Sequence, residues 1–390
     1  MTATHGTGTH GTETPGTGPA GGEPLDRAVA LAGGHALDTL PNPPVGCVLT
    51  APDGTVVGEG AHGGYGGPHA EAVALAAAGE RARGATAWVT LEPCGGGAPG
   101  KKTPPCAAAL LAAGVAAVVY AEADPSPHGS GSGLAELAAG GVTVAHRPHP
   151  GAPPLLVRYR AALLDPFPWT LAKWAMSLDG RIADARGGSR WITGEEARGR
   201  VHALRRRVEA VVVGSRTAVL DDPDLRPLGP GEGGPPPLRV VVDSSLRLAA
   251  ASTIAATAAS GPVLVATGGR AREERRRALE AVGVTVEDHP GALGGVDIAS
   301  LFRSLRGRGV RRLLLEGGGR LTGSAFRAGL VRQVAAFTAP LILGGDAAPN
   351  PVAGEGAVRY ASNPLRLEEV RVTHWGSDVL VEGFVPGVGA

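Results

Sequence analysis

The sequence is poor in cysteine, in excess charge of either sign and in long apolar runs, and each shortage excludes a class of protein. Three cysteines (Cys47, Cys94 and Cys106) among 390 residues are too few for a disulfide framework, and such sparse use is typical of a reducing cytoplasm. Lysine plus arginine number 37 against 36 for aspartate plus glutamate, which argues against a nucleic-acid binder with a basic surface. No apolar stretch is long enough to cross a membrane, and the N-terminus has no apolar signal core. We therefore expect a soluble cytoplasmic protein without nucleic-acid or membrane partners.

The length is sufficient for two domains with separate cores. Residues 1–23 are rich in glycine, threonine and proline without periodicity, which predicts a disordered tail. Helices alternate with apolar strands over 24–150, where a hairpin is expected to turn at Asp53-Gly54. A proline-flanked helix is expected to link this part, over 151–168, to a second α/β series over 169–387. The alternation predicts an α/β class protein with helices on the faces of its sheets, in two different domains.

The stretch "PHAEAVAL" places His69 and Glu71 at the start of an apolar helix. A glutamate at that position is also explained by the helix dipole alone. Downstream, however, Cys94 ends a predicted strand and Cys106 begins a predicted helix, where the thiolate is favoured. One imidazole and two thiolates leave a fourth tetrahedral zinc position for water, which is the catalytic arrangement, and Glu71 is then the general acid–base. The pattern is that of the zinc deaminases, whereas Cys47 is expected to be a small core residue.

The motifs "LPNPPVGCVL", "VGEGAH", "GPHAEAVAL", "GATAWVTLEPC" and "TPPC" together resemble the deaminase half of the bifunctional deaminase–reductase family of riboflavin biosynthesis. The resemblance implies a cytidine-deaminase-like three-layer domain. It also implies that Asn42 recognises the base and that Lys102 contacts the phosphate or sugar of the substrate. An exposed loop lysine is the alternative for Lys102.

The second half contains, in the order of the same family's reductase domain, "KWAMSLDGRIA", "SRWITG", "ARGRVHALR", "GSRTAVLDDPDL", "LRVVVDSSLR" and "LLLEGGGRLTGSAF". The last is a strand, a glycine loop and a helix, so backbone N–H groups near Gly318 and Gly319, with Thr322 and Ser324, are placed to hold a pyrophosphate. The resemblance implies a dihydrofolate-reductase-like domain that uses NADPH. The implied cofactor contacts are Ala175, Trp191, Thr217, Asp221, Ser244, Gly318, Gly319, Arg320, Leu321, Thr322, Gly323 and Ser324. The implied substrate contacts are Ser189, Arg205, Leu225, Arg226 and Glu316.

Several of these residues have a second interpretation. Arg205 suits a phosphate because its planar fork pairs with one, but it also fits a helix-surface arginine beside Arg206 and Arg207. Trp191 also fits a half-buried packing aromatic. We expect Lys173 and Asp179 to organise the same cleft.

Three places depart from the family pattern. The loop between Cys94 and Cys106 is a few residues longer and lacks the usual Ser-His pair, Leu228 stands where an arginine is usual, and Leu341 stands where a lysine is common. A paralogue with one impaired or respecialised domain therefore stays open as the alternative.

The resemblance implies zinc-dependent hydrolytic deamination of 2,5-diamino-6-ribosylamino-4(3H)-pyrimidinone 5′-phosphate, followed by NADPH reduction of the ribosyl to the ribityl chain. It further implies a homo-oligomer, either dimer or tetramer. A nucleoside or tRNA-base deaminase would leave the second domain unexplained. A non-catalytic ligand sensor or scaffold would be expected to lose Glu71 or a zinc ligand first, and all four residues are present.

Overall fold

A computed structural model describes residues 23–96, 104–126, 130–189, 191–228, 235–269, 272–354 and 364–387. In chain order its helices α1 to α12 are Pro24–Gly33, Ala36–Thr39, Ala70–Ala78, Cys106–Ala113, Ser132–Ala139, Ala152–Leu164, Glu195–Arg206, Ser215–Leu220, Thr253–Ala256, Glu273–Glu280, Ile298–Gly307 and Gly319–Arg327. Its strands β1 to β14 are Gly46–Thr50, Val56–Ala61, Thr86–Val89, Ala117–Tyr120, Thr143–His146, Trp169–Ser177, Ala210–Gly214, Leu238–Val242, Val263–Thr267, Thr285–Asp288, Arg312–Glu316, Gln333–Ala339, Glu368–Trp375 and Asp378–Phe384. Short 3₁₀ turns are Gly79–Ala82, Ala258–Ser260 and Ala292–Gly294. Apart from Glu23, the predicted tail lies outside the described residues.

The chain divides into two compact units, and the division is not the one drawn from the sequence. The first unit contains residues up to Gly34, Val45–His62 and His69–Pro153, and the second contains His35–Pro44, Gly63–Pro68 and the chain from Pro154 onward. The sequence placed both short segments inside the domain 24–150, whereas their contacts group them with the second unit. The predicted limits at the tail, the linker and the second domain stay predictions.

The first unit is built on a five-stranded sheet in the order β2-β1-β3-β4-β5. The predicted hairpin is confirmed: β1 and β2 are antiparallel, Gly54 has a φ of 86°, and the Thr55 N–H donates to the Asp53 carboxylate at 2.9 Å. Helix α3 lies close against β2 because Gly58 and Gly60 have no side chains. A Cβ on Gly60 would stand 2.6 Å from the backbone nitrogen of Ala74. This close approach fixes the first turn of α3 against the sheet.

The second unit is built on a nine-stranded sheet in the order β10-β9-β8-β7-β11-β6-β12-β14-β13. The first seven strands in this order, β10 through β12, are parallel to one another. Strand β14 then pairs antiparallel with β12, and β13 pairs antiparallel with β14. Parallel strands are apolar on both faces because both are covered: Val211 and Val213 face one core cluster, and Ala210 and Val212 face the other. Ligands of such sheets bind beyond the carboxyl ends of the strands, so that edge is where the site is expected.

Strand β13 was not predicted from the sequence. Five of its eight residues, "EEVRVTHW", are charged or polar, and it is an edge strand that pairs with β14 alone. Charged side chains are common on sheet edges and weaken the apolar signal of a strand. The α/β class is confirmed. Across the described ranges, no helix is both long enough and apolar enough to cross a bilayer.

Candidate functional sites

The first unit brings together the three residues predicted to bind zinc. His69 precedes the first turn of α3, Cys94 follows β3, and Cys106 is the first residue of α4. His69 Nδ1 lies 3.2 Å from the sulfur of Cys106 and 3.5 Å from the sulfur of Cys94. The three ligand atoms all lie within 4.8 Å of one another, which is the spacing a single ion needs.

The start of α4 is directed at Cys94. The Cys106 N–H donates to the Cys94 sulfur at 3.4 Å, and the Ala107 N–H donates to the Cys94 carbonyl at 3.1 Å. Amide groups at a helix N-terminus favour a thiolate. The hydrogen bond with Cys94 and burial raise the pKa of the Cys106 thiol, so two adjacent thiols need a cation before both can ionise. Two sulfurs and one imidazole are a donor set that zinc prefers, and the residues therefore fit the metal.

Glu71 lies in the first turn of α3 beside this cluster, as predicted. Its side chain is buried, with the residue 3% exposed. Burial raises the pKa of Glu71, a tendency that the neighbouring His69 opposes and Cys94 reinforces. A buried carboxyl with a raised pKa next to a metal-ligand cluster is suited to taking up and releasing a proton.

One neighbour of the cluster was missed from the sequence. The ring of His62 lies 5.4 Å from the ring of His69 in an edge-on arrangement. His62 is the last residue of the motif "VGEGAH", so this histidine belonged to a motif already singled out, but no role was predicted for it. Cys47 is buried inside β1, as expected of a core residue.

Of the two residues predicted to bind the deaminase substrate, the structure describes Asn42 but not Lys102. Asn42 is half-buried in the segment His35–Pro44, and its N–H donates to the Thr39 carbonyl at 3.0 Å. Lys102 lies outside the described residues. Both roles stay predictions.

At the carboxyl edge of the second sheet, three charged residues meet. Lys173 on β6 and Glu316 on β11 are register partners, with the Lys173 ammonium 3.8 Å from the Glu316 carboxylate. Arg205 on α7 donates to both oxygens of Glu316, at 2.6 and 2.9 Å. Burial tends to raise the pKa of Glu316, but Arg205 and Lys173 outweigh it and leave the pKa lowered. Burial also lowers the pKa of Lys173.

Arg205 is therefore not the surface arginine of the alternative interpretation. Its side chain is 14% exposed, against an exposed Arg206 one position along the helix. The packing interpretation of Trp191 is also wrong, because this residue is 68% exposed. The Arg198 guanidinium lies 4.8 Å from the centre of its ring.

Other predicted residues meet around the glycine loop. Ser189 donates to the Asp221 carboxylate at 2.8 Å. Gly317 and Gly318 have φ values of 73° and 83°, a conformation that favours glycine, and Thr217 lies next to both. A β-carbon on Gly318 would stand 3.6 Å from the Thr217 hydroxyl. The loop that follows β11 and the helix that follows β7 thus lie against each other at the carboxyl edge of the sheet.

The glycines of α12 serve packing as well. A Cβ on Gly319 would overlap the Asn350 carbonyl oxygen, and one on Gly323 would overlap the Ala353 carbonyl oxygen. The Ala353 N–H also donates to the Gly319 carbonyl at 2.9 Å. Arg320 is exposed, Ser324 is half-buried, and Leu321 and Thr322 are buried.

Of the remaining predicted residues, Ala175 and Ser244 lie on or directly after strands of the second sheet, whereas Leu225 and Arg226 lie in the chain between α8 and β8. Ala175 is half-buried on β6, and Ser244 follows β8, its carbonyl accepting from the Thr267 hydroxyl at 3.0 Å. Leu225 is buried with a φ of 64°, and Arg226 is held by Asp224 at 2.6 and 2.7 Å.

Asp179 lies in a loop, as do two of the three departures from the family pattern, Leu228 and Leu341, whereas the third, the loop between Cys94 and Cys106, lies partly outside the described residues. The Asp179 carboxylate accepts from the Leu343 and Gly344 N–H groups at 3.0 and 2.7 Å, and these bonds, after one from Ser177, lower its pKa to about 2. Leu228 is exposed, and its backbone is held by His202 at 3.1 Å and Arg206 at 2.6 Å. The Leu341 carbonyl accepts from the Leu178 N–H at 2.8 Å.

Comparison with known proteins gives the two halves separate matches. Residues 23–122 match the cytidine and deoxycytidylate deaminase zinc-binding region, and residues 168–381 match the RibD C-terminal domain. The riboflavin biosynthesis protein RibD of Escherichia coli K12 is 37% identical over 369 residues, covering 91% of this chain and 96% of its own. RibD of Mycobacterium tuberculosis is 36% identical over 371 residues, with 92% and 96% covered.

Two solved structures are similar over almost the whole chain. Acinetobacter baumannii RibD is 33% identical with a TM-score of 0.65, covering 93% of this chain and 98% of its own. A Thermotoga maritima protein described as a diaminohydroxyphosphoribosylaminopyrimidine deaminase/5-amino-6-(5-phosphoribosylamino)uracil reductase is 29% identical with a TM-score of 0.63, covering 93% and 97%.

Fold and sites together define a bifunctional enzyme with a zinc-binding deaminase domain and a reductase domain, as the sequence predicted. The chain belongs to the RibD family of riboflavin biosynthesis proteins.

Proposed function

We propose that the chain catalyses two successive steps of riboflavin synthesis. The first is hydrolytic deamination of 2,5-diamino-6-ribosylamino-4(3H)-pyrimidinone 5′-phosphate, and the second is reduction of the ribosyl group to ribityl with NADPH. The observation that carries the proposal is the cluster of His69, Cys94 and Cys106 beside the buried Glu71, on a chain that also has the Lys173–Glu316–Arg205 cleft.

In the deaminase domain, His69, Cys94 and Cys106 hold zinc, which when bound supplies Lewis acidity toward a water molecule. Glu71 takes a proton from that water and delivers it to the amino group that leaves as ammonia. Water supplies the oxygen of the new carbonyl, so one amino group is exchanged for one oxygen. Asn42 is assigned to the pyrimidine ring and Lys102 to the phosphate or sugar.

In the reductase domain, NADPH supplies the hydride. Ala175, Trp191, Thr217, Asp221, Ser244 and residues 318–324 are assigned to the cofactor. Arg205 keeps Glu316 ionised and oriented, and Ser189, Leu225 and Arg226 line the substrate side. Opening the ribosyl ring adds a hydride to carbon and a proton to oxygen, and the Lys173 ammonium is a proton donor within this cleft.

The test is to incubate the purified protein with the diaminopyrimidine phosphate, with and without NADPH, and to follow the products by mass. We expect exchange of an amino group for oxygen without NADPH, and a further gain of two hydrogens with it. Under the alternative drawn from the sequence, a chain with an impaired reductase domain would stop at the deaminated product, and one with an impaired deaminase domain would reduce only substrate that is supplied already deaminated. Absence of deamination, and of reduction of already deaminated substrate, would refute the proposal.

We further propose that the enzyme works in the cytoplasm as a homo-oligomer, either dimer or tetramer. The support for a cytoplasmic site is the sparse cysteine content and the balanced charge. Light scattering on the purified protein tests the oligomer, and a monomer at micromolar concentration would refute that part.

A further inference from the structure

Four charged side chains form a closed ring in the second unit, which we call the Asp38 ring: Asp38, Arg371, Glu382 and Arg200. The Asp38 carboxylate accepts from Arg371 at 2.7 and 3.1 Å and from Arg200 at 3.2 Å. Glu382 accepts from Arg371 at 2.7 and 3.1 Å and from Arg200 at 3.4 Å. The two acids are 14% and 3% exposed. Burial tends to raise the pKa of Asp38, but the arginines outweigh it and lower the pKa, so Asp38 is ionised at neutral pH.

The backbone of Asp38 connects this ring to the second short segment, Gly63–Pro68. Its carbonyl accepts from the Tyr65 N–H at 2.9 Å and from the Arg312 guanidinium at 3.1 Å. The buried Tyr65 hydroxyl donates to Glu209 at 2.9 Å, and Glu209 also accepts the Arg312 N–H at 2.9 Å. Hydrogen bonds to charged groups in buried surroundings are among the stronger ones, so both segments are firmly held.

Both segments continue directly into chain that carries the deaminase chemistry. Pro68 is followed by His69, the proposed zinc ligand, and the first segment carries Asn42. Where the first segment ends, the Val45 carbonyl accepts from the His62 N–H at 2.9 Å, and the His62 ring lies against that of His69. Displacement of a positioned group by about 1 Å can cost about 100-fold in rate. We therefore expect the residues whose hydrogen bonds hold the two segments to affect the positions of groups in the deaminase site.

We infer that Arg371, Arg200 and Glu209 are positioning residues for deamination, although all three lie in the part of the chain that matches the reductase domain. They act through Asp38 and Tyr65 on the two segments that lead to Asn42 and His69. The inference rests on the proposed function, because it assigns these residues to the deamination step.

The test uses full-length variants with separate measurements for the two segments. Arg371→Met removes the charge that holds Asp38, and we expect the KM for the diaminopyrimidine to rise about tenfold, the equivalent of one charge-assisted hydrogen bond. Arg371→Lys restores part of this loss, because it keeps the charge without the planar fork. Tyr65→Phe keeps the ring but loses the bond to Glu209, and we expect a chelator to remove zinc several-fold faster, by about the factor that one such bond supplies. Reduction of already deaminated substrate is expected to stay within about twofold, a change worth less than one hydrogen bond.

The matched control is Arg276→Met, which breaks another ion pair of the second unit, that of Arg276 with Asp288 at 2.6 Å. It should leave the KM for deamination and the zinc loss unchanged. If the wild type does not deaminate, the proposed function fails and this inference fails with it. If the wild type deaminates while Arg371→Met keeps its KM and Tyr65→Phe keeps its rate of zinc loss, the inference alone is overturned. Equal loss of deamination and reduction in both variants also overturns it, since the ring would then merely maintain the fold.

Discussion

Arg205 donates two parallel hydrogen bonds to Glu316, from Nε to Oε1 at 2.6 Å and from Nη2 to Oε2 at 2.9 Å. Paired bonds of this geometry are stronger and more directional than single ones. They join helix α7 to the end of β11, and so fix a carboxylate at the edge of the sheet where substrates of such folds bind. Arg205 thus positions Glu316, and the contact with substrate proposed for Arg205 would come in addition to this.

Arg205→Ala should therefore weaken both the fold and the reduction. Glu316 would lose both hydrogen bonds from Arg205 and would keep Lys173, at 3.8 Å, as a neighbouring cation. Because breaking a buried ion pair costs about 3 kcal/mol, we expect a loss of this size in the free energy of unfolding. The KM for the deaminated substrate should rise, because binding common to ground and transition states is lost. Urea unfolding and steady-state kinetics measure the two effects. Arg206→Ala, a change at an exposed neighbour, is the control, and equal effects of both substitutions would contradict the prediction.

Glu71→Gln should keep zinc and fold yet lose deamination by about 10²–10⁴-fold, the usual contribution of a positioned general acid–base. Turnover of the diaminopyrimidine phosphate and metal content are the measurements. Reduction of already deaminated substrate by NADPH should be unchanged. Glu80→Gln, an exposed glutamate just after α3, is the control. Near-native deamination by Glu71→Gln would contradict the catalytic role and would leave Glu71 only a favourable interaction with the start of the helix.

The protein should purify with about one zinc per chain, since three protein ligands and a water complete a tetrahedron. Cys94→Ser and Cys106→Ser should each lower metal content and deamination together. Cys47→Ala, which alters the third cysteine inside β1, should keep the metal. Elemental analysis and chelator treatment are the measurements. A zinc-free wild type whose deamination resists chelators would refute the metal centre.

Most elements and the zinc cluster could be predicted because their signals are local. Alternating apolar residues, glycine and proline boundaries and the His-x-Glu motif lie within short stretches, so His69, Glu71, Cys94 and Cys106 were found without any long-range information. Strand β13 was missed because its charges hide its strand character.

The rest depends on contacts between distant residues. Arg205 and Glu316 are 111 positions apart, and Asp38 and Arg371 are 333 apart. A single sequence does not indicate which arginine pairs with which acid, because the residues next to a charged side chain in the sequence do not identify its distant partner. For the same reason the assignment of His35–Pro44 and Gly63–Pro68 to the second unit could not be predicted.

Gly319→Ala should disturb the reductase without affecting deamination. Its new Cβ would overlap the Asn350 carbonyl oxygen, a backbone atom that cannot rotate away, so α12 or the segment facing it must shift. We expect a loss of about 1–3 kcal/mol in the free energy of unfolding and weaker NADPH binding, measured by urea unfolding and by titration of the cofactor. The matched control is Gly199→Ala in the interior of α7, where a Cβ meets nothing within 4 Å. Alanine is the better helix former, so this control should gain about 0.5–1 kcal/mol. If Gly319→Ala is as stable as the wild type and binds NADPH equally well, the tight packing of α12 does not shape the cofactor site.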